Sequence, residues 1–393
     1  MRWILLKGGQ VFDPEDRGAA DVLILGREIG AVGIGLAAPT GIGEGKTIDV
    51  SGGIVLPGLI DPHIHVMGAS GLGGPTTRST DLQIERVAGA GVTTVVSPLG
   101  ADSLSRSVPS LLARAAALEC EGISAYCYTG GWKNPVPTLT GDPQADVAYV
   151  HRVLGVKVAI SEPMAPAYTI EELCRLAHAA WTGGRLAGKR AVLHTHAGDV
   201  PEGLLPIREV QRRTGIPADC VVVTHVNRNP NLWRQAIEFA KAGGSIDLTT
   251  MQRPETNHPQ AIPAAQAIRE ALTAGVPAER MTLSTDSGVP YPRLDPSGKV
   301  VGLYMAGPDA ILGTLQELVQ TGLSWGAAAA FATAHTASLL GLARKGRLVE
   351  GADADVVTLG PAGRVDRVYA QGRELVVEGK PLIWGAFGGH AIA

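Results

Sequence analysis

The sequence is poor in the features that mark several classes of protein. Its net charge is −3, with 34 Lys and Arg against 37 Asp and Glu, so nothing in it predicts binding to nucleic acid or to an anionic membrane surface. No apolar run is long enough to span a bilayer, and the first residues lack the apolar segment and cleavage site of a signal peptide. The four cysteines form no C-x-x-C pair and are too few for a disulfide framework. We therefore expect a soluble cytoplasmic protein with reduced cysteines.

The middle of the chain alternates apolar, strand-like runs with amphipathic, helical runs. Such an alternation predicts a parallel sheet, and eight strands fit a closed α/β barrel of the (β/α)8 type. A doubly wound open sheet is the alternative, although no G-x-G-x-x-G motif follows a first strand. The predicted strands cover residues 56–66, 92–98, 124–129, 155–161, 191–196, 221–225, 245–250 and 281–285.

The two ends of the chain differ from this middle. Both consist of short strand-like segments separated by Gly and Pro, and neither has helical periodicity. We predict that residues 1–55 and 346–393 together form a small β-sandwich domain. Residues 56–345 would then form the barrel.

Polar residues fall at the predicted strand ends, where barrels of this kind carry their catalytic groups. His63 and His65 lie two apart at the end of the first strand. Because alternate strand residues share a face, the pair is positioned to bind one metal ion. For this pair alone, two histidines hydrogen-bonded within the core are an equally good interpretation.

Four later strands add further candidates. Lys157 lies inside an apolar strand, where a charge must be paired or removed; a buried ion pair and carbamylation by carbon dioxide are the two options. His194 and His196 share a face of the fifth strand, and His196, nearer the strand end, is the preferred ligand, with His194 packed behind it. His225 ends the sixth strand and Asp286 ends the eighth.

Taken together, these residues resemble the metal centre of the amidohydrolase superfamily of hydrolases. The sequence around them is similar to that of the isoaspartyl dipeptidase family, and the similarity covers nearly the whole chain. The matching segments are residues 74–78, 121–125, 155–157, 224–229 and 283–286.

The resemblance implies two divalent metal ions per chain, expected to be zinc. One would be held by His63, His65 and Asp286, the other by His196 and His225. Lys157, as N6-carboxylysine, would bridge the two ions together with a hydroxide.

The same resemblance implies roles in the reaction and the assembly. Asp286 would act as general base and pass the proton to the leaving amine, while the metal-activated water attacks the carbonyl. Arg228 would clamp a substrate carboxylate, although a surface arginine is the alternative. The family also implies a symmetric homo-oligomer.

The substrate-binding positions depart from the family pattern. Leu72 stands where the family carries a glutamate for the substrate's amino group. Trp132 replaces a tyrosine, and Met164 replaces a carboxylate-binding arginine. Ala101 and Pro290 stand where hydroxyl side chains are expected. All these changes remove polar groups and add apolar surface.

Three hypotheses follow for the function. The first is a dinuclear metal-dependent amidohydrolase that cleaves a C–N amide bond in a small, less charged substrate, such as a cyclic imide, a lactam or an N-acyl amine. The second is a true isoaspartyl dipeptidase. The third is a non-catalytic assembly protein, which the filled ligand positions argue against. Residues 251–259 and 288–300 are expected to cover the site.

Overall fold

The protein is described by a computed structural model over residues 2–69, 71–256, 258–295, 297 and 299–386. In chain order its strands are β1 (Arg2–Asp13), β2 (Glu15–Leu25), β3 (Glu28–Gly33), β4 (Glu44–Asp49), β5 (Ile54–Pro57), β6 (Leu59–Asp61), β7 (Val92–Ser97), β8 (Ser124–Gly130), β9 (Val153–Ile160), β10 (Val192–Ala197), β11 (Val221–Thr224), β12 (Ser245–Thr249), β13 (Met281–Ser284), β14 (Pro290–Leu294), β15 (Val300–Met305), β16 (Val356–Leu359), β17 (Val365–Ala370), β18 (Arg373–Val377) and β19 (Lys380–Pro381). The helices are α1 (Ile84–Gly89), α2 (Val108–Glu121), α3 (Pro143–Tyr149), α4 (Ile170–Leu186), α5 (Leu205–Thr214), α6 (Pro230–Lys241), α7 (Ala264–Thr273), α8 (Ala310–Gln320), α9 (Trp325–Ala330) and α10 (Ala334–Leu340).

Strands β6 to β13 form the predicted parallel barrel, in sequence order around the sheet. The first and last strands are joined through residues 331–332 rather than directly. Ile60 N–H donates to the Ala332 carbonyl at 2.7 Å, and Leu283 N–H donates to the Phe331 carbonyl at 3.1 Å. The helices cover the outside of this nearly closed barrel, and a continuous apolar core fills the space between them and the strands.

The predicted first strand needs a correction. The run 56–66 is divided at Gly58 into β5, which belongs to the terminal sheet, and β6, which ends at Asp61. A Cβ atom at Gly58 would lie 2.2 Å from Thr93 Oγ1, so only glycine fits where the chain passes from one sheet to the other. Pro62 follows directly after β6, and a proline cannot donate to the strand ladder. His63 and His65 therefore lie in the turn after the strand, not within it.

One helix was not predicted. Helix α3 is only seven residues long, too short for a clear periodic signal, and it lies between β8 and β9. It begins at Pro143, and the Asp142 carboxylate accepts a hydrogen bond from Gln144 N–H at 3.0 Å. Within the described residues no helix is long and apolar enough to cross a membrane.

The two ends of the chain form a separate sheet, as predicted. Its nine strands are β1 to β5 and β16 to β19. The long strand β1 pairs with two other strands of this sheet, with β4 through Arg2–Lys7 and with β5 through Gln10–Val11. A second apolar cluster, separate from the barrel core, lies against this sheet. The exact boundaries of the two domains stay a prediction.

Candidate metal centre and pocket

The six predicted ligand residues line one cavity at the C-terminal ends of the barrel strands. The cavity encloses about 720 Å³, a volume that includes its open mouth. All six side chains are buried, although they lie on or after five different strands. The ligand residues are His63, His65, Lys157, His196, His225 and Asp286.

Three of these residues have the spacing of a metal site. One potential ligand atom each from His63, His225 and Asp286 lies within 4.8 Å of the other two. His65 joins this group, because its Nε2 lies 3.1 Å from Asp286 Oδ1, and His63 Nε2 lies 3.5 Å from the same oxygen. Two imidazoles thus converge on one carboxylate oxygen.

His196 continues the cluster on the other side. Its ring centroid lies 4.7 Å from that of His225, which in turn lies 4.9 Å from that of His63. Burial lowers the pKa of all three histidines well below the ordinary value, and neighbouring positive charges lower it further. They are therefore neutral at pH 7, which is the form of imidazole that binds metal ions.

Lys157 has no partner for its amine. Its side chain is 1% exposed, and within the described part of the chain Nζ makes neither a hydrogen bond nor an ion pair. Burial lowers the pKa of Lys157 to about 7, although the charges of Asp286 and Asp247 act in the opposite direction. A neutral amine in this position is the form that reacts with carbon dioxide. The donor set and this unpaired buried nitrogen together fit a metal centre.

Neighbouring side chains fix the orientation of two ligands. His225 Nδ1 lies 2.8 Å from Thr249 Oγ1, and His63 Nδ1 lies 2.9 Å from His194 Nε2. The His194 ring also stacks on Tyr128, with centroids 4.5 Å apart and planes 8° from parallel. His194 therefore lies behind His63, whereas the sequence had suggested only that it packs deeper on its strand than His196. Thr249 was missed, although its place at the end of the seventh barrel strand was a usable signal.

The backbone at the strand ends is strained. His225 and Asp286 adopt left-handed conformations, with φ of 65° and 55°, and Ser161 does so after β9 with φ of 52°. Non-glycine residues adopt such conformations at a cost, and they concentrate at functional sites. Here the sharp turn directs His225 and Asp286 back over the barrel mouth.

One wall of the pocket is apolar. Leu72, Trp132 and Met164, the three predicted substrate-contact positions that depart from the family, all line it, as does Ala101. Leu72 and Met164 are each 58% exposed, whereas the Trp132 ring lies 4.5 Å from the ring of His196. Tyr291, rather than Pro290, lines the cavity, from the beginning of strand β14.

The lining also includes three polar residues, Gln252, His258 and Tyr291, whose individual roles were not predicted from the sequence. Within the described residues their side chains make no hydrogen bond, and Gln252 and Tyr291 are each only 3% exposed. They come from the two segments expected to cover the site, of which residues 257, 296 and 298 lie outside the described part. Long loops give no periodic signal that would mark such residues.

Arg228 lies beside the cluster, with its guanidinium already paired. Its Nη1 lies 3.4 Å from Glu162 Oε2 and 3.2 Å from His196 Nε2, and its Nε lies 3.3 Å from Asp199 Oδ2. Glu162 lines the pocket as well, and its Oε2 lies 3.5 Å from His196 Nε2. Burial raises the pKa of Glu162, the charge of Arg228 opposes this, and Asp199 adds to it. Glu162 was not predicted from the sequence as a site residue.

Residues 54–375 match the Amidohydrolase family, and the chain belongs to this family. Among solved structures it is similar to the β-aspartyl dipeptidase of Fervidobacterium islandicum AW-1, which was crystallised with a β-Asp-Leu dipeptide. The two are 32% identical with a TM-score of 0.87, over 96% of this chain and 98% of that one. This confirms the resemblance to the isoaspartyl dipeptidases and the barrel with its separate terminal sheet.

More distant similarities agree with the family. The D-hydantoinase (dihydropyrimidinase) of Thermus sp. is 16% identical with a TM-score of 0.69, over 98% of this chain and 97% of that one, and so shares the fold. The dihydroorotase of Geobacter sulfurreducens is 48% identical over 66 residues, which are 16% of this chain and 15% of that protein. The dihydroorotase of Streptococcus pyogenes serotype M3 is 35% identical over 127 residues, 31% and 28% of the two. This chain therefore matches under a third of either dihydroorotase. The family and the hydrolase structures support a hydrolase acting on C–N bonds.

Proposed function

We propose that this protein is a metal-dependent hydrolase that cleaves a C–N amide bond in a small substrate with few charges. One observation carries this proposal. Six candidate ligands line one cavity, and apart from the paired Arg228 and Glu162 the rest of its lining is apolar or polar and neutral. The cluster of candidate ligands supports the reaction class, and the chemistry of the remaining lining residues restricts the substrate.

The cofactor in this proposal is a pair of divalent metal ions, with zinc as the expected metal. When bound, the two ions supply a Lewis acid and lower the pKa of a water molecule enough for it to attack at pH 7. His63, His65 and Asp286 would hold one ion and His196 and His225 the other, with carboxylated Lys157 holding both.

Asp286 has the position of a general base. Its carboxylate faces the cavity from the turn after β13, held at φ of 55° by the backbone. Asp286 N–H donates to the His63 carbonyl at 2.9 Å, which ties this turn to the one that carries the first two histidines. In the proposed reaction Asp286 accepts the proton of the attacking water and delivers it to the leaving nitrogen.

The remaining lining residues support a substrate that is polar but uncharged beside the scissile bond. Leu72, Trp132 and Met164 offer no charge to pair with an ammonium or a carboxylate group. The amide of Gln252 and the hydroxyl of Tyr291 both donate and accept hydrogen bonds, which suits the carbonyl and N–H groups of an amide. A cyclic imide, a lactam, a hydantoin-like ring or an N-acyl amine has this chemistry.

A true isoaspartyl dipeptidase is the second candidate. The similarity to the Fervidobacterium islandicum enzyme and its β-Asp-Leu complex favours it, together with the presence of Arg228. A zwitterionic dipeptide would need partners for its charges, and Leu72 and Met164 offer none. A non-catalytic assembly protein is disfavoured, because every expected ligand position is filled.

The test combines a metal count with a substrate panel. We expect about two metal ions per chain by mass spectrometry of the purified protein. The kcat/KM values are then compared for β-aspartyl-leucine, cyclic imides, lactams and N-acyl amines. A neutral amide with kcat/KM on the order of 10⁴ M⁻¹s⁻¹ and no cleavage of the dipeptide supports the first candidate. Efficient cleavage of the dipeptide establishes the second, and failure to bind metal contradicts both.

A further inference from the structure

The pairing of Arg228 determines what the pocket can bind. The guanidinium faces two carboxylates, Glu162 at 3.4 Å and Asp199 at 3.3 Å, so one positive charge is set against two negative ones. The side chains of Arg228 and Glu162 are only 12% and 10% exposed, whereas that of Asp199 is 54% exposed. The Glu162 pair is therefore much less screened by water than the Asp199 pair.

The position of Glu162 is built into the fold. Ser161, directly before it, turns the chain in a left-handed conformation and donates its hydroxyl to the Gly203 carbonyl at 2.7 Å. Opposite it, Gly198 leaves the space that Glu162 fills. A Cβ atom at Gly198 would lie 2.6 Å from both Cβ and Oε2 of Glu162. Any larger residue at position 198 would displace this carboxylate from Arg228.

We propose that Glu162 is a built-in counter-ion of Arg228, which selects against substrates that carry a carboxylate beside the scissile amide. Glu162 pairs with the Arg228 guanidinium that a substrate carboxylate would otherwise bind. The negative charge of Glu162 also repels a substrate carboxylate. The inference rests on the proposed function and sharpens it, since the favoured substrate is then neutral at this position. Glu162 acts here as a specificity-determining residue.

The experiment measures binding rather than turnover. Dissociation constants of succinate and of succinamide, a neutral molecule with the same carbon chain, are measured by calorimetry on zinc-loaded protein. We expect the affinity for succinamide to be the same in the unmodified protein and in Glu162→Gln. In Glu162→Gln, which keeps the shape and removes the charge, the affinity for succinate should rise about tenfold or more, and the gain should shrink with added salt.

Two further variants test whether the gain in succinate affinity arises from the pair of Glu162 and Arg228. Asp199→Asn should raise succinate affinity by less than about threefold, because exposed charges contribute little. In the double variant Glu162→Gln/Arg228→Met, the gain should disappear, since the freed guanidinium is its source. Metal content is compared in all variants, because Glu162 also lies near His196.

The outcomes separate this inference from the proposed function. Equal succinate affinity in the unmodified protein and Glu162→Gln, at equal metal content, overturns the role of Glu162. An equal gain in the affinity for succinamide in Glu162→Gln also overturns it. Because no turnover is needed, a panel without any hydrolysed substrate would contradict the proposed function and leave this result standing.

Discussion

The floor and the rim of the pocket are built in different ways. The floor, defined as His63, His65, Lys157, His196, His225 and Asp286, consists of residues that are each 8% exposed or less. The rim, defined as Leu72, Met164, Gln252, His258 and Tyr291, comes from loops and, for Tyr291, from strand β14, and two of its members are 58% exposed. The floor residues thus lie on or directly after barrel strands, whereas the rim residues lie on the segments between these strands and the following helices.

This difference explains how one barrel can keep a reaction and change its substrate. The floor residues lie on or within a few residues of hydrogen-bonded barrel strands, which limits how far they can move independently. A loop residue can be exchanged without disturbing that ladder, and specificity can therefore change while the chemistry stays. Substitutions in the floor and in the rim can show whether metal binding and substrate specificity change independently.

The largest effect is expected for the floor residue Lys157. Lys157→Met keeps the volume and removes the amine, and with it the only floor residue that is proposed to hold both metal ions. Metal content should fall well below two per chain, and kcat/KM should fall by about 10³-fold or more. Both are measured on protein purified and assayed with zinc present.

Lys345 provides the matched control. It is also a buried lysine, 4% exposed, but its Nζ lies 2.7 Å from Asp355 and 2.8 Å from Asp353. Lys345→Met should lower the free energy of unfolding by about 3–5 kcal/mol, because it leaves the buried carboxylate of Asp355 without its cationic partner. Metal content of the folded protein should stay unchanged. A Lys157→Met protein that still holds two metal ions would contradict the bridging role.

A smaller effect is expected one contact away from the floor. Thr249→Val removes the hydroxyl that lies 2.8 Å from His225 Nδ1 and keeps the shape of the side chain. The imidazole then loses the partner that sets its orientation and tautomer, so metal affinity should fall about 10- to 100-fold. Competition with a chelator measures this. Thr250→Val serves as a control, since Thr250 follows β12 but does not line the cavity.

The six floor residues and two of the rim residues, Leu72 and Met164, could be named from the sequence, whereas Gln252 and His258 could not. Lys157 was identifiable because a lysine is conspicuous in an apolar strand, and His225 and Asp286 because they end such strands. The divided first strand was missed, since apolar residues continue through Gly58 and only the packing against Thr93 requires the break. Tyr291 lies in a segment that was expected to cover the site, but the hairpin of β14 and β15 that positions it was not predicted, because these strands lack regular alternation of apolar and polar residues.

The rim prediction with the larger effect concerns Tyr291. Tyr291→Phe removes a hydroxyl that has no hydrogen-bond partner among the described residues and that lines the cavity. If it binds a neutral polar group of the substrate, kcat/KM should fall about tenfold, with metal content unchanged. Tyr304→Phe is the matched control, since its ring lies 6.0 Å from that of Tyr291 and does not line the pocket. Equal effects of both substitutions would mean that the hairpin, not the hydroxyl, matters.

The smallest effect is expected at Leu72, on the apolar wall. Leu72→Ala removes apolar surface that is already 58% exposed, so only part of the side chain's burial energy is available to the substrate. The KM should rise about threefold while kcat and metal content stay the same. Leu104→Ala, at a residue that is 87% exposed and outside the cavity lining, should change neither constant. A fall in kcat for Leu72→Ala would show that rim and floor are coupled, because a residue that only binds the substrate equally in the ground and transition states changes KM alone.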